Sequence, residues 1–556
     1  MTHIKDDTVA PVTNHDIAAI SIRNITADEL SSALQDKKEL ALIDVREPGI
    51  FAKKHILYAV SAPLWRIELL IGRKVPRKDT RLVLVDDDGL LANEAAPLLG
   101  RLGYTDISIL REGLAGWEKN GYEVFSGENV PSKALGEVVE HQAGTPHISV
   151  QQLRARIHAK ENLVIVDGRT PEEFFNFSLP GAHNVPNAEL PYRIRELAPD
   201  PATPIVVNCA GRTRSIIGAQ TLIDAGVPNP IVSLENGTMA WLLDGHELEH
   251  GHRTVLPEPT PEHLRQARQH AKKLLDRVGV PSISEDGLKQ ILNEQDRSVF
   301  LFDIRSREEY RAGHLPGWRW AAGGQLVQAT DEYIGTLESR VVIADWDGVR
   351  AATVAAWLVQ LGKYEVYVHQ PVHPERLETG DEPIHVLKDP DTAGFAWISQ
   401  TEVLEKLDQD AIAIIDVEST RAYAKQHIRS AYYLAAEQID AFAPGLTGGS
   451  KTLVITSFDG VLANLVARRL ARLGIDAQAL LGGNQGWFAA GLPIESSTER
   501  NLSGDAHAWF GAYDYSDTAL RNQKFQEYLD WEIGLVEQIG KKGGSAPFTV
   551  LGAKIS

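Results

Sequence analysis

The sequence is poor in sulfur, with one cysteine and two methionines among 556 residues. A single thiol cannot form an intramolecular disulfide, so the chain does not have the disulfide framework of small secreted domains. The N-terminal residues, MTHIKDDTVAPVTNHD, contain two early aspartates and no apolar stretch, and we expect no secretory signal there. These features together predict a cytoplasmic protein.

Long hydrophobic runs and positive charge are also scarce. No stretch approaches the roughly 20 apolar residues of a membrane-spanning helix, so no membrane partner is expected. Lysine and arginine total 56 against 75 aspartates and glutamates, which gives a net charge of −19. Such a chain repels nucleic acid, and no nucleic-acid partner is expected. An anionic substrate would therefore need a local positive site.

A repeat organises the chain, which is too long for one hydrophobic core. An apolar run that ends in aspartate occurs four times, and each run is typical of a buried strand. The four aspartates are Asp44, Asp167, Asp303 and Asp416. The residues two positions after them are Arg46, Arg169, Arg305 and Glu418.

Each repeat then continues in the same order, with a histidine-containing turn, a second apolar strand, a helix rich in alanine and leucine, and a third strand. The histidines of the turns are His55, His183, His314 and His427. A Gly-x-x-x-Trp element closes the first, second and fourth repeats, at Trp117, Trp241 and Trp487. Strand–helix–strand order predicts α/β units with parallel sheets and right-handed crossovers.

These motifs resemble the rhodanese family, whose pattern is Asp-x-Arg, a PGA-like turn, a strand leading into a cysteine loop, and a terminal Gly-x-x-x-Trp. The second repeat matches best, with VDGRTPEEF, LPGAHNVPN, VVNCAGRTRS and LENGTMAW. The resemblance implies four tandem rhodanese-like α/β domains, each with a mainly parallel five-stranded sheet flanked by helices. It also implies a nucleophilic cysteine in the loop after the fourth strand.

We place the four domains at residues 21–128, 145–250, 281–378 and 395–498. Residues 1–20 are predicted to be an N-terminal tail. Residues 251–280 begin rich in proline and continue as a charged helical pattern, which is typical of a linker. Residues 499–556 are rich in tryptophan, tyrosine and phenylalanine, and we expect this tail to pack on the body because its aromatic side chains would otherwise be exposed.

Cys209 is the candidate nucleophile. The preceding strand should end near Asn208, and a helix should begin near Ser215, which is a favourable N-cap residue. Gly211 lets the intervening loop wrap tightly, so that its N–H groups can form an anion-binding nest next to the helix N-terminus. The residues predicted to bind substrate are Ala210, Gly211, Arg212, Thr213, Arg214 and Ser215.

The thiolate is the reactive form of cysteine, and an ordinary thiol is only about 3% ionised at pH 7. The loop N–H groups, Arg212 and Arg214 are expected to lower the pKa of Cys209. The two guanidinium groups also suit the oxyanion of a small donor. Neither a metal nor a cofactor is expected.

Other motif residues have supporting interpretations. Asp167 and Arg169 are expected to form an ion pair that holds the loop without taking part in the chemistry. His183 is interpreted as a turn or core residue, and Trp241 as core packing. Glu235 and Asn236 lie before the last turn, where they could face the loop.

The other three domains lack a thiol at the matching position, which Asp86, Asp345 and Ser457 occupy. They therefore cannot form a persulfide. Their loops share Asp-Gly pairs, which favour turns, and a cation or partner site there is the alternative interpretation. The pairs are Asp88–Gly89, Asp347–Gly348 and Asp459–Gly460.

The sequence thus predicts a sulfurtransferase that moves sulfur from an anionic donor such as thiosulfate to a thiol or cyanide acceptor through a Cys209 persulfide. The alternatives are a binding or scaffold protein, a sulfur carrier, and a phosphatase or arsenate reductase. Relatives with the last two activities have Cys-x5-Arg loops, whereas Arg214 gives this loop Cys-x4-Arg. The physiological donor and acceptor, the oligomeric state and the pathway are left open.

Overall fold

The computed structural model describes residues 4–5, 22–371, 377–387, 396–504 and 510–553. Of the predicted N-terminal tail, only residues 4–5 are described; they form a short strand, β1 (Ile4–Lys5), that pairs in parallel with residues 384–385. The rest of that predicted tail lies outside the described residues.

Four parallel sheets of five strands form the body of the protein, and they confirm the predicted fold class. In every sheet the first strand is followed across the sheet by the fifth, fourth, second and third, so the fourth strand is central. We number the domains in chain order.

The elements of the first two domains follow the predicted strand–helix order. Domain 1 contains β2 (Arg23–Ile25), α1 (Ala27–Ala33), β3 (Leu40–Asp44), α2 (Pro48–Phe51), β4 (Val60–Ser61), α3 (Ile67–Lys74), β5 (Arg81–Val85), α4 (Leu90–Arg101), β6 (Ile107–Leu110) and α5 (Gly113–Lys119), and α6 (Val130–Ala143) follows it. Domain 2 contains β7 (His147–Ile148), α7 (Val150–His158), β8 (Val164–Asp167), α8 (Pro171–Asn176), β9 (His183–Asn184), α9 (Leu190–Leu197), β10 (Ile205–Asn208), α10 (Thr213–Asp224), β11 (Ile231–Leu234) and α11 (Gly237–Leu243).

The last two domains repeat this order after a connecting helix, α12 (Pro261–Val278), which lies within the predicted linker. Domain 3 contains β12 (Ser282–Ile283), α13 (Glu285–Asn293), β13 (Val299–Asp303), α14 (Arg307–Ala312), β14 (Arg319–Trp320), α15 (Gly323–Gln328), α16 (Thr330–Tyr333), β15 (Ser339–Ala344), α17 (Arg350–Leu361) and β16 (Tyr364–His369), and β17 (Ile384–His385) follows it. Domain 4 contains β18 (Ala396–Ile398), α18 (Gln400–Asp408), β19 (Ile412–Asp416), α19 (Thr420–Lys425), β20 (His427–Ile428), β21 (Tyr432–Tyr433), α20 (Ile439–Thr447), β22 (Thr452–Thr456), α21 (Val461–Arg472), β23 (Ala477–Leu480), α22 (Gly483–Ala489) and β24 (Ile494–Glu495), and the last helix is α23 (Thr518–Gln538).

The sheets are buried on both faces, which explains why the strands are continuous apolar runs and do not alternate with polar residues. In β3, Leu40 and Leu42 point into one apolar cluster, and Ala41 and Ile43 point into the cluster on the opposite face. The helices that cover these faces begin at capping residues. Thr170 accepts a hydrogen bond from the N–H of Glu173 at the start of α8, and the Glu173 carboxylate accepts one from the N–H of Thr170.

The Asp-x-Arg motif ties the end of the second strand to the following loop. In domain 2, Arg169 Nη2 lies 2.8 Å from Asp167 Oδ2 and 2.6 Å from the carbonyl oxygen of Phe177. Arg46 and Arg305 bind the aspartate two residues before them and the carbonyl eight residues after them in the same way. In domain 4 this arginine is replaced by Glu418, so Asp416 is buried without a cationic neighbour in the motif.

One assignment within the repeat is wrong. The turn histidines of domains 1, 3 and 4 are buried, and their rings stack on an aromatic ring four residues earlier. These histidines are His55, His314 and His427. The equivalent residue of domain 2 is Ser178, which forms the same backbone bridge, whereas His183 lies exposed in β9. His183 was assigned to the turn because Ser178 replaces the histidine at that position and an unrelated histidine follows five residues later.

The domains share cores across their boundaries. Leu135 of α6, Ile216 of α10 and Leu358 of α17 belong to one apolar cluster, which joins domains 2 and 3 through the helix that follows domain 1. At this boundary the indole N–H of Trp357 donates to Thr221 Oγ1 at 2.7 Å. The domains therefore form a continuous body.

The C-terminal segment packs against this body. Phe525 and Leu529 of α23 contact Met239 of domain 2, and Leu535 enters the core of domain 1. Beyond the helix, the N–H of Thr549 donates to the carbonyl of Gln360 in domain 3 at 3.0 Å. Throughout the described ranges, every helix is too short or too polar to cross a lipid bilayer.

Candidate functional site

Cys209 follows the central strand of the domain 2 sheet. Strand β10 ends at Asn208, as predicted, and the Asn208 side chain donates to Asp167 Oδ2 at 3.1 Å. Helix α10 begins at Thr213, two residues earlier than predicted. Ser215 is therefore not the N-cap residue, and its hydroxyl instead donates to the carbonyl of Arg212 at 2.7 Å.

The loops of all four domains bind the side chain at the Cys209 position in the same manner. Strand register aligns this residue with Asp86, Asp345 and Ser457, as the sequence predicted. In each loop the side chain accepts a hydrogen bond from the backbone N–H six residues later. The donors are Ala92 to Asp86 at 3.1 Å, Ala351 to Asp345 at 2.8 Å, Ala463 to Ser457 at 3.1 Å, and Ser215 to Cys209.

Domain 1 shows that this loop is an anion cradle. Asp86 fills it with a carboxylate that also accepts from the N–H of Gly89 at 2.5 Å. The next residue, Asp87, binds Arg46 Nη1 at 2.7 Å. In domain 2 the positions of Asp86, Asp87 and Asp88 are occupied by Cys209, Ala210 and Gly211, so the loop contains no carboxylate of its own. Arg169 Nη1 has no hydrogen-bond partner among the described residues, although it is buried.

The Asp-Gly pairs of the other domains close their loops. Each aspartate accepts a hydrogen bond from the N–H two residues later, in the manner of an Asx turn. The pairs are Asp88 with Leu90 at 3.0 Å, Asp347 with Val349 at 2.9 Å, and Asp459 with Val461 at 2.9 Å. The described residues contain no cluster of three or more histidine, cysteine or acidic side chains that could hold a metal ion.

The environment of Cys209 changes the prediction for its pKa. The side chain is only 2% exposed, and burial raises the pKa of the thiol above its ordinary value. Arg214 and Ser215 act in the opposite direction, and Glu532 adds to the increase. The expected lowering of the pKa is therefore wrong, because no local sequence pattern indicates how deeply the thiol is buried.

Arg212 points away from the loop towards α6. Its guanidinium group binds both oxygens of Glu137 at 2.7 and 2.9 Å, and it also binds Glu140 and Asn236. Burial raises the pKa of Glu137 to about 7, although Arg212 opposes this effect. Asn236 thus faces an arginine of the loop, and the predicted contact of Arg212 with a donor stays a prediction.

Arg214 forms a bidentate pair with Glu173, with both N–O distances at 2.7 Å. The same pair recurs in domain 3, where Arg350 binds Glu309 at 2.7 and 2.8 Å. Because domain 3 has no cysteine, this pair also has a structural role that is independent of sulfur chemistry. Arg214 nevertheless acts on the thiol electrostatically, and its predicted role in donor binding stays open to test.

The Gly-x-x-x-Trp element binds the backbone of the Cys209 loop. The N–H groups of Thr238 and Met239 donate to the carbonyls of Cys209 and Ala210 at 2.9 and 3.0 Å. Gly237 has a φ of +53°, and a Cβ there would overlap the carbonyl oxygen of Cys209. Glycine is therefore required for this close approach.

We expect Gly237→Ala to displace the Cys209 loop and to lower the sulfur-transfer activity predicted from the sequence by at least about ten-fold. Gly483→Ala is the matched control, because Gly483 has a φ of +54° and meets the carbonyl of Ser457 in domain 4 in the same way. Both variants should lose comparable stability, and only the first should lose activity. Equal activities in a turnover assay would contradict this role of Gly237.

The comparisons with known proteins agree with the geometry. The pattern that defines the rhodanese-like domain matches residues 26–120, 149–244, 284–370 and 399–490, which is more than half of the chain. The chain belongs to the rhodanese family. A crystal structure of a thiosulfate sulfurtransferase from Pseudomonas aeruginosa is 40% identical, covers 95% of this rhodanese and 100% of that chain, and superposes with a TM-score of 0.90.

Single-domain relatives match parts of this rhodanese. The thiosulfate sulfurtransferase GlpE of Actinobacillus pleuropneumoniae serotype 3 (strain JL03) is 29% identical over 104 residues, which are 18% of this chain and 95% of that protein. A sulfurtransferase of Allochromatium vinosum is 27% identical over 107 residues, 19% of this chain and 98% of that protein. These names support a sulfurtransferase-like protein.

In this rhodanese, the C-terminal segment contributes residues to the candidate site that sequence reasoning missed. The hydroxyl of Tyr513 donates to the carbonyl of Ala210 at 3.2 Å. Glu532 of α23 is fully buried and accepts hydrogen bonds from the N–H and hydroxyl groups of Thr213. The repeat could have predicted the pairing of Glu173 with Arg214, since this pair and the pair Glu309–Arg350 are both separated by 41 residues. No pattern marks Tyr513 or Glu532.

A cavity of about 730 Å³ lies beside the loop, between domain 2, domain 1, domain 3 and the C-terminal segment. Ala210 and Arg214 form its floor at the loop, and Tyr528 and Trp531 of α23 form part of its wall. This volume is large enough for a small anion. The cavity extends from the Cys209 loop to domains 1 and 3, which lack the thiol.

Proposed function

We propose that this rhodanese transfers sulfur from an anionic donor such as thiosulfate to a thiol or cyanide acceptor, with domain 2 as its active site. The observation that carries the proposal is the Cys209 sulfur in a cradle that holds a carboxylate in domains 1 and 3. The backbone N–H groups that bind a carboxylate oxygen in those domains can bind the sulfur of a thiolate or a persulfide in domain 2. The likeness to the Pseudomonas thiosulfate sulfurtransferase supports thiosulfate as the test donor.

The first half-reaction forms an enzyme persulfide. The Cys209 thiolate attacks the outer sulfur of thiosulfate, a bond forms between the two sulfur atoms, and the S–S bond of the donor breaks. Sulfite leaves with the bonding electron pair. The N–H of Ser215 and the other loop donors stabilise the negative charge, and Arg169 Nη1, which lacks a partner among the described residues, is available to an oxyanion.

The second half-reaction regenerates the thiolate. The acceptor thiolate or cyanide attacks the outer sulfur of the Cys209 persulfide and takes it, and the bonding electrons return to the Cys209 sulfur. The two steps predict ping-pong kinetics. The chain needs neither a metal nor an external oxidant for this sequence, because the sulfur atom enters at the oxidation level at which it leaves.

Mass spectrometry of the intact protein after exposure to thiosulfate tests the proposal. We expect the mass to increase by one sulfur atom per chain. The added sulfur should map to the peptide containing Cys209 and should be lost after addition of cyanide. An unchanged mass, together with no thiocyanate production, would contradict the assignment. Hydrolysis of p-nitrophenyl phosphate, measured in parallel, would favour the phosphatase alternative.

A further inference from the structure

The loop of domain 2 lacks the aspartate that binds an N–H at the start of the following helix in the other three domains. In domains 1, 3 and 4 the N–H four residues after the Cys209 position is bound by the aspartate two residues before it in the same loop. The equivalent N–H of domain 2 belongs to Thr213, and the residue two positions before it is Gly211, which has no side chain. An oxygen ligand for this N–H must come from elsewhere.

Glu532 of α23 provides that oxygen from a distance of 319 residues along the sequence. Its Oε1 lies 3.4 Å from the nitrogen of Thr213 and also accepts from the Thr213 hydroxyl. Its Oε2 has no hydrogen-bond partner among the described residues. That oxygen would lie 3.4 Å from a Cβ at Gly211, so it faces the space above the loop that the missing side chain leaves open.

The position of Glu532 therefore matches that of an anion bound to the loop. Domain 1 and domain 3 place loop carboxylates on the corresponding N–H groups, and Glu532 is the carboxylate that takes this place in domain 2. It differs from those aspartates in one respect, because it belongs to a separate helix and not to the loop itself. The cavity of about 730 Å³ lined by Lys133, Arg214 and Tyr528 lies next to it.

We propose that Glu532 competes with the anionic sulfur donor for the N–H groups of the Cys209 loop, and that it is a specificity-determining residue which disfavours doubly charged donors. This inference rests on the proposed sulfurtransferase function. One N–H cannot bind both Glu532 and a donor oxyanion. The displaced carboxylate stays close to the loop, so its repulsion is larger for a dianion than for a monoanion.

Kinetics with two donors of different charge test this competition. Thiosulfate is the dianionic probe, and benzenethiosulfonate is the monoanionic probe. For Glu532→Gln we expect the KM for thiosulfate to fall on the order of ten-fold, equivalent to about 1.4 kcal/mol, and the KM for benzenethiosulfonate to fall by no more than about three-fold. The value of kcat should change much less, because the cysteine and its N–H donor at Ser215 remain.

Glu537→Gln is the matched control, since it removes one negative charge from an exposed position of the same helix. It should leave both KM values unchanged. A KM for thiosulfate that is unchanged or higher in Glu532→Gln would overturn the inference, and so would an equal fall for both donors. If the unaltered protein transfers sulfur from neither donor, the proposed function itself fails, which is a different result.

A second variant decides the matter if Glu532→Gln does not fold. Thr213→Val removes the hydroxyl that holds Glu532 and keeps the backbone N–H and every charge. The released carboxylate should compete less well, and the KM for thiosulfate should fall about three-fold. An unchanged or higher KM in a folded Thr213→Val protein would again overturn the inference.

Discussion

Cys209→Ser is expected to abolish sulfur transfer while leaving the protein folded. A serine oxygen cannot form the persulfide, so turnover of thiosulfate and cyanide should fall by at least about 10³-fold. Serine fits this loop, because Ser457 occupies the same position in domain 4 and accepts the equivalent hydrogen bond from Ala463 at 3.1 Å. The midpoint of thermal unfolding should therefore change by no more than about 2 °C.

The matched control is Ser457→Ala, which alters the same position in a domain without a thiol. It should retain full turnover. Retained turnover in Cys209→Ser would refute the assignment of the nucleophile, since the chain has no other cysteine. Loss of both turnover and folding would instead show that the thiol is needed for packing, and the unfolding midpoint separates these results.

Domain 4 should lose stability as the pH rises, because Asp416 is buried without the arginine found in the other repeats. Burial raises the pKa of Asp416 to about 7 from an ordinary value of 3.8. The folded state thus binds a proton more tightly than the unfolded state. The stabilising contribution is complete below about pH 4, declines as the pH rises, and is lost above about pH 7.

Glu418→Arg should remove this dependence by restoring the ion pair seen between Asp303 and Arg305. At pH 8 we expect domain 4 to gain on the order of 2–4 kcal/mol, and at pH 4 to gain little. Hydrogen exchange of peptides from β19 and β22, corrected for the intrinsic effect of pH, measures this domain separately from the others.

The control for this prediction is Glu418→Gln, which removes the like charge near Asp416 without supplying a cation. It should recover only a small part of the stability at pH 8, since burial is the largest cause of the raised pKa. Equal protection of β19 and β22 at pH 5 and pH 8 in the unaltered protein would contradict the raised pKa of Asp416, which is buried without a cationic partner in its motif.

The fold could be predicted from the sequence because its signals are local and occur four times. The run that ends at Asp167 is buried on both faces, and its apolar residues show this directly. The position of Cys209 after the central strand follows from the same pattern, and strand register confirms the alignment with Asp86, Asp345 and Ser457. Repetition made each single signal stronger.

The rest of the site depends on contacts between distant parts of the chain. Glu532 and Tyr513 reach the loop from the C-terminal segment, and neither lies in a recognisable motif. The pKa of Cys209 depends on the packing of that segment over the thiol, which no local pattern encodes. The histidine of the turn was misplaced for a different reason, because Ser178 replaces it at a position that only the backbone pairing identifies.

The loops of domains 1, 3 and 4, which are occupied by their own side chains, bear on how many sulfur atoms one chain can carry. Asp86, Asp345 and Ser457 each accept a hydrogen bond from their own loop, so these three repeats supply scaffold and no thiol. On the proposed function, the four repeats contain one sulfur-binding centre per polypeptide, because the chain has one cysteine. Domains 1 and 3 form part of the walls of the cavity beside that centre, so these two copies serve the second domain as enclosure.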